Sequence, residues 1–359
     1  MMKRLDEKNW VPVPIADLFD KPVAGKGKGL NHLIQADKMG VCYIGATNRN
    51  NGVLCFIKPD EISKNMMQPG NCIGFIKNGD GSAGYAIYKH EPFISTSDVI
   101  YGYAGWVNKF TGLFFVAAQD KIKNKYSHGY KRNEQHLHGD KVMLPVTNDG
   151  KPDYKYMVQY ASEMRRHMLM RYRNYVTWRL FYLEHRGVPT LSEKKWGEFR
   201  IGELFSVSHP SARNKDDYEF GDTLFIASGA LNNGVMKCCK AKGQEQLDEG
   251  NCITVSPIDG STFYQPRDFL GRGGAGSSIL ILRCFGMNLY RGQFMARMIQ
   301  QTCSKYTYGH MGNKKSIKRE RIMLPVTDDG VPDYEYMEQY VKNMMLRKYR
   351  QYLSFINAK

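Results

Sequence analysis

Apolar positions along this chain fall first into short runs and then into a long periodic stripe, and the order occurs twice. In the first half GVCYIGAT, GVLCFI, NCIGFI and GYAIY are short runs rich in β-branched and aromatic residues and edged by Gly and Asn. They predict strands, as do TLFIAS, NCITVS and SSILILRCF in the second half. Each set precedes a segment of helical character, TGLFFVAAQDKI or GQFMARMIQQTC. A basic loop follows, then Met-Leu-Pro-Val and a Gly-x-Pro-Asp turn. The turn predicts a helix start: Pro152 and Pro332 fix φ at the entry, and Asp153 and Asp333 suit a cap or the positive first turn. Beyond it, Met157, Tyr160, Met164, Met168, Tyr172 and Tyr175 recur every three or four residues, as do Val341, Met345, Tyr349, Tyr352 and Ile356. With Gly187 and Pro189 as its stop, the first helix is about 34 residues or about 50 Å, and the second about 24 residues or about 36 Å. A lone helix with such a stripe must bury it, and the simplest partner is its own duplicate, laid antiparallel.

The duplication is explicit in the letters. MLPVTNDGKPDYKYMVQY from Met143 and MLPVTDDGVPDYEYMEQY from Met323 agree at 14 of 18 positions. Trp10, Ile15, Leu18 and Phe19 recur as Trp196, Ile201, Leu204 and Phe205. Asn50-Asn51-Gly52-Val53 recurs as Asn232-Asn233-Gly234-Val235, and Gly70-Asn71-Cys72-Ile73 as Gly250-Asn251-Cys252-Ile253. A period near 180 residues is too long for a solenoid unit and marks a whole-domain duplication. The expected fold class is therefore α+β, with tandem duplicated domains at 1–152 and 188–332, each followed by a long α-helix, at 153–187 and 333–359. The two helices are expected to pack as an antiparallel, coiled-coil-like spacer.

Charge adds a partner. The chain carries 51 Lys and Arg against 35 Asp and Glu, a net +16. A surplus spread along the whole chain favours a polyanion over a membrane surface. No apolar run approaches a membrane span, and the charged start has no signal-peptide core, so a cytoplasmic location is expected. The eight cysteines form no CxxC; Cys42, Cys55, Cys72 and Cys252 sit in strand-like runs and read as reduced core thiols. His136 and His138 form an isolated HxH without a further ligand at metal spacing.

Enzyme signatures are weak. Ser256-Pro257-Ile258-Asp259 is not a methyltransferase Pro-Pro-aromatic motif, and the glycines from Gly25 fit neither a dinucleotide nor a P-loop pattern. Asp153-Tyr154-Lys155 resembles half of a nuclease magnesium site, but its duplicate, Asp333-Tyr334-Glu335, lacks the lysine. No nucleophile elbow is present. No catalytic or metal residue is assigned.

Taken together, the chain resembles the specificity subunits of Type I restriction-modification systems and the related recognition subunits of Type IIB systems. Three features carry the likeness, each present twice: Leu-Phe followed by a variable loop and Asn-Asn-Gly-Val, from Leu18 to Val53 and from Leu204 to Val235; Lys-Tyr-x-x-Gly before a short strand ending Leu-Pro; and Gly-x-Pro-Asp-Tyr opening a helix. The resemblance implies two target-recognition domains that read an asymmetric, bipartite site on double-stranded DNA. It implies no cofactor on this chain, with S-adenosylmethionine and magnesium on partner subunits, a DNA adenine methyltransferase and a restriction nuclease. A stand-alone DNA-binding or decoy protein is the alternative, followed by a nuclease or methyltransferase of unrecognised type. With helices of these lengths, half-site centres are expected roughly one to one and a half B-DNA turns apart.

Phosphate contacts need Lys and Arg, and base reading needs Arg, Lys, Asn or Gln at groove edges. The candidates in the first half are Lys26, Lys28, Asn48, Arg49, Asn50, Lys123, Lys125, Lys131 and Arg132. In the second half they are Arg213, Asn214, Lys215, Arg272, Lys305, Lys314, Lys315 and Arg319. What both copies share is expected to hold the frame. What one copy alone carries (Lys26, Lys28 and Arg49; Arg213, Asn214, Lys215 and Arg272) is expected to read bases.

Overall fold

The computed structural model describes residues 3–20, 22–27, 29–36, 39–79, 81–127, 129–274 and 278–358. The chain divides into two compact units, Met1–Tyr172 and Arg173–Lys359. In the first unit the elements are β1 (Trp10–Pro14), β2 (Val23–Ala24), β3 (Val41–Ile44), β4 (Val53–Ile57), α1 (Glu61–Met66), β5 (Cys72–Ile76), β6 (Ala86–Lys89), β7 (Phe93–Ser95), β8 (Val99–Gly102), α2 (Lys109–Gln119), α3 (Glu134–Gly139) and β9 (Lys141–Pro145). They are followed by α4 (Tyr154–Tyr182), whose last turns belong to the second unit. The second unit continues with β10 (Trp196–Arg200), α5 (Ile201–Leu204), β11 (Ser206–Ser208), β12 (Phe220–Ile226), β13 (Val235–Cys239), β14 (Cys252–Val255), β15 (Thr262–Gln265), β16 (Leu270–Gly271), β17 (Leu280–Arg283), α6 (Leu289–Cys303), α7 (Lys314–Arg319), β18 (Arg321–Pro325) and α8 (Tyr334–Asn357).

The sheets repeat strand for strand. A four-stranded antiparallel sheet has the order β2-β8-β5-β6 in one unit and β11-β17-β14-β15 in the other. A three-stranded sheet, β4-β3-β7 or β13-β12-β16, pairs its last two strands in parallel. The ribbons β1-β9 and β10-β18 complete each unit. The central strand β5 is buried at every residue. Its side chains alternate between two cores: Ile73 and Phe75 meet Phe115 of α2, while Cys72 and Ile76 meet Ile44, Phe93 and Tyr101. Burial on both faces is why NCIGFI reads as a continuous apolar run rather than an alternating one. In the second unit Ile253 and Val255 join Met295 and Ile299 of α6.

The repeated motifs have local jobs. Asn108 and Asn288 cap α2 and α6, each accepting from the amides two and three residues further on. Asn51 (φ 51°) and Asn233 (φ 58°) sit in the left-handed region, each followed by a Gly at positive φ. That conformation is tolerated by Asn and Gly, which explains the Asn-Asn-Gly repeat as a turn. Asp153 accepts from the Tyr156 amide and is paired with Lys8 at 2.8 Å; Asp333 accepts from Tyr336 and is paired with Lys194 at 2.7 Å.

Helix α8 has 24 residues, as the pattern predicts. Helix α4 has 29 and stops at Tyr182, short of Gly187. The reason lies in the second unit. There, the Gln339 side chain donates to the Glu184 carbonyl, and the Asn343 side chain donates to the Arg186 carbonyl and accepts from the Arg186 amide. Those amide side chains bond backbone groups of a segment that has left the helix. Within this unit the last turns of α4 run antiparallel to α8: Arg173 bonds Asn357, Tyr175 meets Tyr349, and Arg179 reaches Met345.

Candidate nucleic-acid interface

The basic loop after α2 is held from beneath by a carboxylate. Tyr126 donates its hydroxyl to Asp140 at 2.7 Å, and Lys125 pairs with the same carboxylate at 2.8 Å. In the second unit Tyr306 and Lys305 use Glu320 in the same way. The shared Lys-Tyr is thus a clamp on its own loop, although the lysines keep about half of their side chains in solvent (55% and 51%). Burial first, and then the neighbouring carboxylate, push the Tyr126 hydroxyl pKa well above its ordinary value, so it stays a donor.

Two candidates leave the DNA-facing set. Arg132 is wholly buried. Its guanidinium bonds Asp140 (3.0 Å), the Gly84 carbonyl (3.1 Å) and the Gln119 side chain (2.5 Å), and lies over the Phe75 ring. With its donors turned inward it reaches no groove. Arg213 is 5% exposed at its side chain and pairs with Glu245 and Asp248, both at 2.7 Å, while also bonding the Gln246 and Gly271 carbonyls. It fastens its loop to the sheet edge. At the position matching Asp248 the first unit carries neutral Gln68, which donates to the Ala24 carbonyl.

The remaining candidates are placed as follows. Lys26 is exposed between β2 and β3; Lys28 lies outside the described residues. Asn48, Arg49 and Asn50 stand exposed on the left-handed turn, with the Asn48 side chain accepting from Ser82. The Lys123 ammonium sits 4.3 Å above the Tyr85 ring, and Lys131 is exposed. Asn214 is exposed and caps a short turn through the Asp216 amide, and Lys215 lies 3.9 Å from Asp216. Arg272 is half-buried, and its Nε has no hydrogen-bond partner among the described residues. Lys314, Lys315 and Arg319 are exposed on α7.

Sequence reasoning passed over two features beside these cations. Tyr130, 45% exposed, stacks on His136 at 4.4 Å, and Tyr308 is 86% exposed in the matching loop. It also passed over Lys89, which reads as the end of a strand; only its pairing opposite buried Cys72 shows that it turns inward.

Among the described residues no group of three His, Cys, Asp or Glu is placed to hold a metal ion. All eight cysteines are free, and burial pushes the thiols of Cys72, Cys252 and Cys303 up to about 12, which makes them poor nucleophiles. No described helix is long and apolar enough to cross a membrane.

A duplicated α+β domain that presents basic side chains on its loops, twice over, defines a two-headed binder of a polyanion. The chain belongs to the family described as the Type I restriction modification DNA specificity domain, which matches it twice, over residues 7–167 and 193–352. It is 28% identical over 238 residues to the Type II restriction enzyme BgcI specificity subunit S.BcgI of Heyndrickxia coagulans, spanning 65% of this chain and 66% of that one. Among solved structures, a Type-I restriction-modification system S subunit from M. genitalium is similar over 99% of this chain and 95% of its own, at 13% identity and a TM-score of 0.47. The HsdS subunit from Thermoanaerobacter tengcongensis is similar over 97% and 91%, at 13% identity and a TM-score of 0.30.

Proposed function

We propose that this chain is the DNA-recognition subunit of a restriction-modification complex. It reads an asymmetric bipartite site and does no chemistry itself. A DNA adenine methyltransferase and a restriction nuclease are brought to the site by it, with S-adenosylmethionine and magnesium on those partners, in the cytoplasm. The observation that carries the reading is the pairing of one frame with two different surfaces. The two units share strand order, caps and turns, yet differ at exposed positions such as Arg49 against Leu231 and Lys131 against Met311. A frame repeated with altered contacts suits two half-sites of different sequence. The deciding experiment is co-purification with the methyltransferase, followed by methylome sequencing with and without this chain. Loss of one bipartite adenine-methylation motif is expected. An unchanged methylome in an otherwise active system would overturn the proposal and favour the stand-alone DNA-binding alternative. Exchanging residues 20–130 for those of a relative is expected to change one half-site only; a change in both contradicts two separate readers.

A further inference from the structure

We propose that Lys89 is a DNA-backbone contact of the first unit, delivered from the end of a strand inside the fold rather than from a loop. The proposal rests on the DNA-recognition reading above. Lys89 closes β6 and is 6% exposed. Strand register sets it opposite Cys72 and on the same face as Ile87, towards the core of Cys72, Ile76, Phe93 and Tyr101. Among the described residues nothing bonds its ammonium and no carboxylate pairs with it. A buried lysine stem leaves its charge to solvent or to an anion, because an ammonium sealed without a partner is costly.

The strand end adjoins an exposed turn. The left-handed turn that carries Arg49 and Asn50 is seated on the same strand end: Asn51 donates its side-chain amide to the Tyr88 carbonyl at 2.9 Å. Ile87 lies beneath Gly52 of that turn. Lys89 and exposed Arg49 therefore share one corner, and neither has an acidic partner among the described residues.

The second unit supplies the control. Asn233 holds the same turn to the Tyr264 carbonyl. In place of Lys89 stands Gln265, 1% exposed, whose amide donates to the Asn233 carbonyl at 3.1 Å and to the Thr254 hydroxyl at 2.9 Å. In place of Arg49 stands Leu231, and in place of Gly74 stands the Thr254 that satisfies Gln265. One corner closes on itself with neutral hydrogen bonds. The other carries two cations, and the residue that could satisfy a polar neighbour is a glycine packed under Tyr101 and Ile87. A DNA phosphate is the anion that a recognition domain meets at such a corner.

The test uses the full chain and a labelled 30-base-pair duplex of mixed sequence, with affinity measured by anisotropy between 50 and 200 mM salt. Each phosphate contact contributes about 0.9 to the slope of log K against log salt. Lys89→Gln, the side chain of its own duplicate, is expected to reduce the slope by about 0.9 and to weaken binding about eightfold at 0.1 M salt. Adding Arg49→Leu is expected to remove about 0.9 more. Lys89→Arg should restore the slope, which a purely structural role would not require. Lys89→Met keeps the apolar stem, drops the charge and gives the same slope change should glutamine not fit. Unchanged slope and affinity in both neutral variants overturn the assignment of Lys89 alone. Absence of salt-dependent duplex binding by the wild-type chain overturns the DNA reading itself, and Lys89 with it.

Discussion

Replacing Arg132 by Gly, the residue at the matching position 312, isolates the energetics of the basic loop. Arg132 and Asp140 are both fully buried and 2.9 Å apart. Removing one partner of a buried ion pair costs about 3–5 kcal/mol, most of it from the charge left behind. Here Asp140 keeps the Tyr126 hydroxyl and the Lys125 ammonium, so the cost belongs at the lower end, about 3 kcal/mol. Hydrogen exchange read by mass spectrometry is the assay. Peptides covering β5, α2 and β9 should open about a hundredfold more often, since about 1.4 kcal/mol is a factor of ten. Peptides of β14, α6 and β18 are the internal reference and should not move. The second unit also shows the repair. It holds Ile299 where Gln119 stands and Glu320 where Asp140 stands, with Gly312 packed against the Tyr306 ring. The triple variant Gln119→Ile, Arg132→Gly, Asp140→Glu should recover most of the loss. Exchange unchanged within about threefold in the single variant, or equal loosening of both units, would refute the reasoning.

Two further outcomes follow from the same geometry. Burial raises the Asp153 and Asp333 carboxyls, but Lys8 or Lys194 and the Tyr156 or Tyr336 amide outweigh it and hold both below the ordinary 3.8. A depressed carboxyl stabilises the fold fully above its unfolded value and is lost as pH falls through its folded value, so both helix starts weaken below about pH 4. Asp153→Ala and Asp333→Ala should each cost about 1–2 kcal/mol near neutral pH. In circular dichroism at 222 nm both should show a flatter acid limb than the wild type; an identical acid limb counts against the cap. Arg213→Ala removes the only cation paired with Glu245 and Asp248 among the described residues, leaving Glu245 the Tyr218 hydroxyl and the Lys242 amide and Asp248 the Gly271 amide, so about 3 kcal/mol of local stability should go. Trypsin should then cut faster at Lys240 and Lys242, with the first unit's cleavage unaltered; equal cleavage in variant and wild type would show that Arg213 does not anchor the loop.

Much of this architecture is legible in the letters because duplication and periodicity are long-range signals. The strands β3, β4, β5, β6, β12, β14 and β17 and the helices α2 and α6 fall where the apolar runs place them. The runs that failed to announce themselves are short or carry no alternation: β2 and β16 have two residues each, and β7 three. Their place is set by pairing with distant strands, which no local pattern records. The end of α4 was illegible for a related reason. Continuation to Gly187 is what the stripe predicts, but Gln339 and Asn343, far along the chain, bond the backbone of Glu184 and Arg186 outside the helix.

The candidate interface was less legible, because a charge that differs between the two copies can be spent inside the fold. A base-reading residue is expected to be unique to one copy. Arg213 meets it and yet is consumed by two carboxylates; Arg132, also without a counterpart, is consumed by Asp140 and Gln119. The other copy has neutral Gln68 where Asp248 stands, and Ile299 and Gly312 where Gln119 and Arg132 stand. Difference alone therefore mixes two kinds of position. A second condition separates them: whether the differing charge is satisfied inside its own unit. Arg49 and Lys89 differ from their counterparts and find no acidic partner among the described residues, whereas Leu231 and Gln265 need none. Charges that are both unmatched between copies and unanswered within the fold are the ones whose energetics call for something outside it.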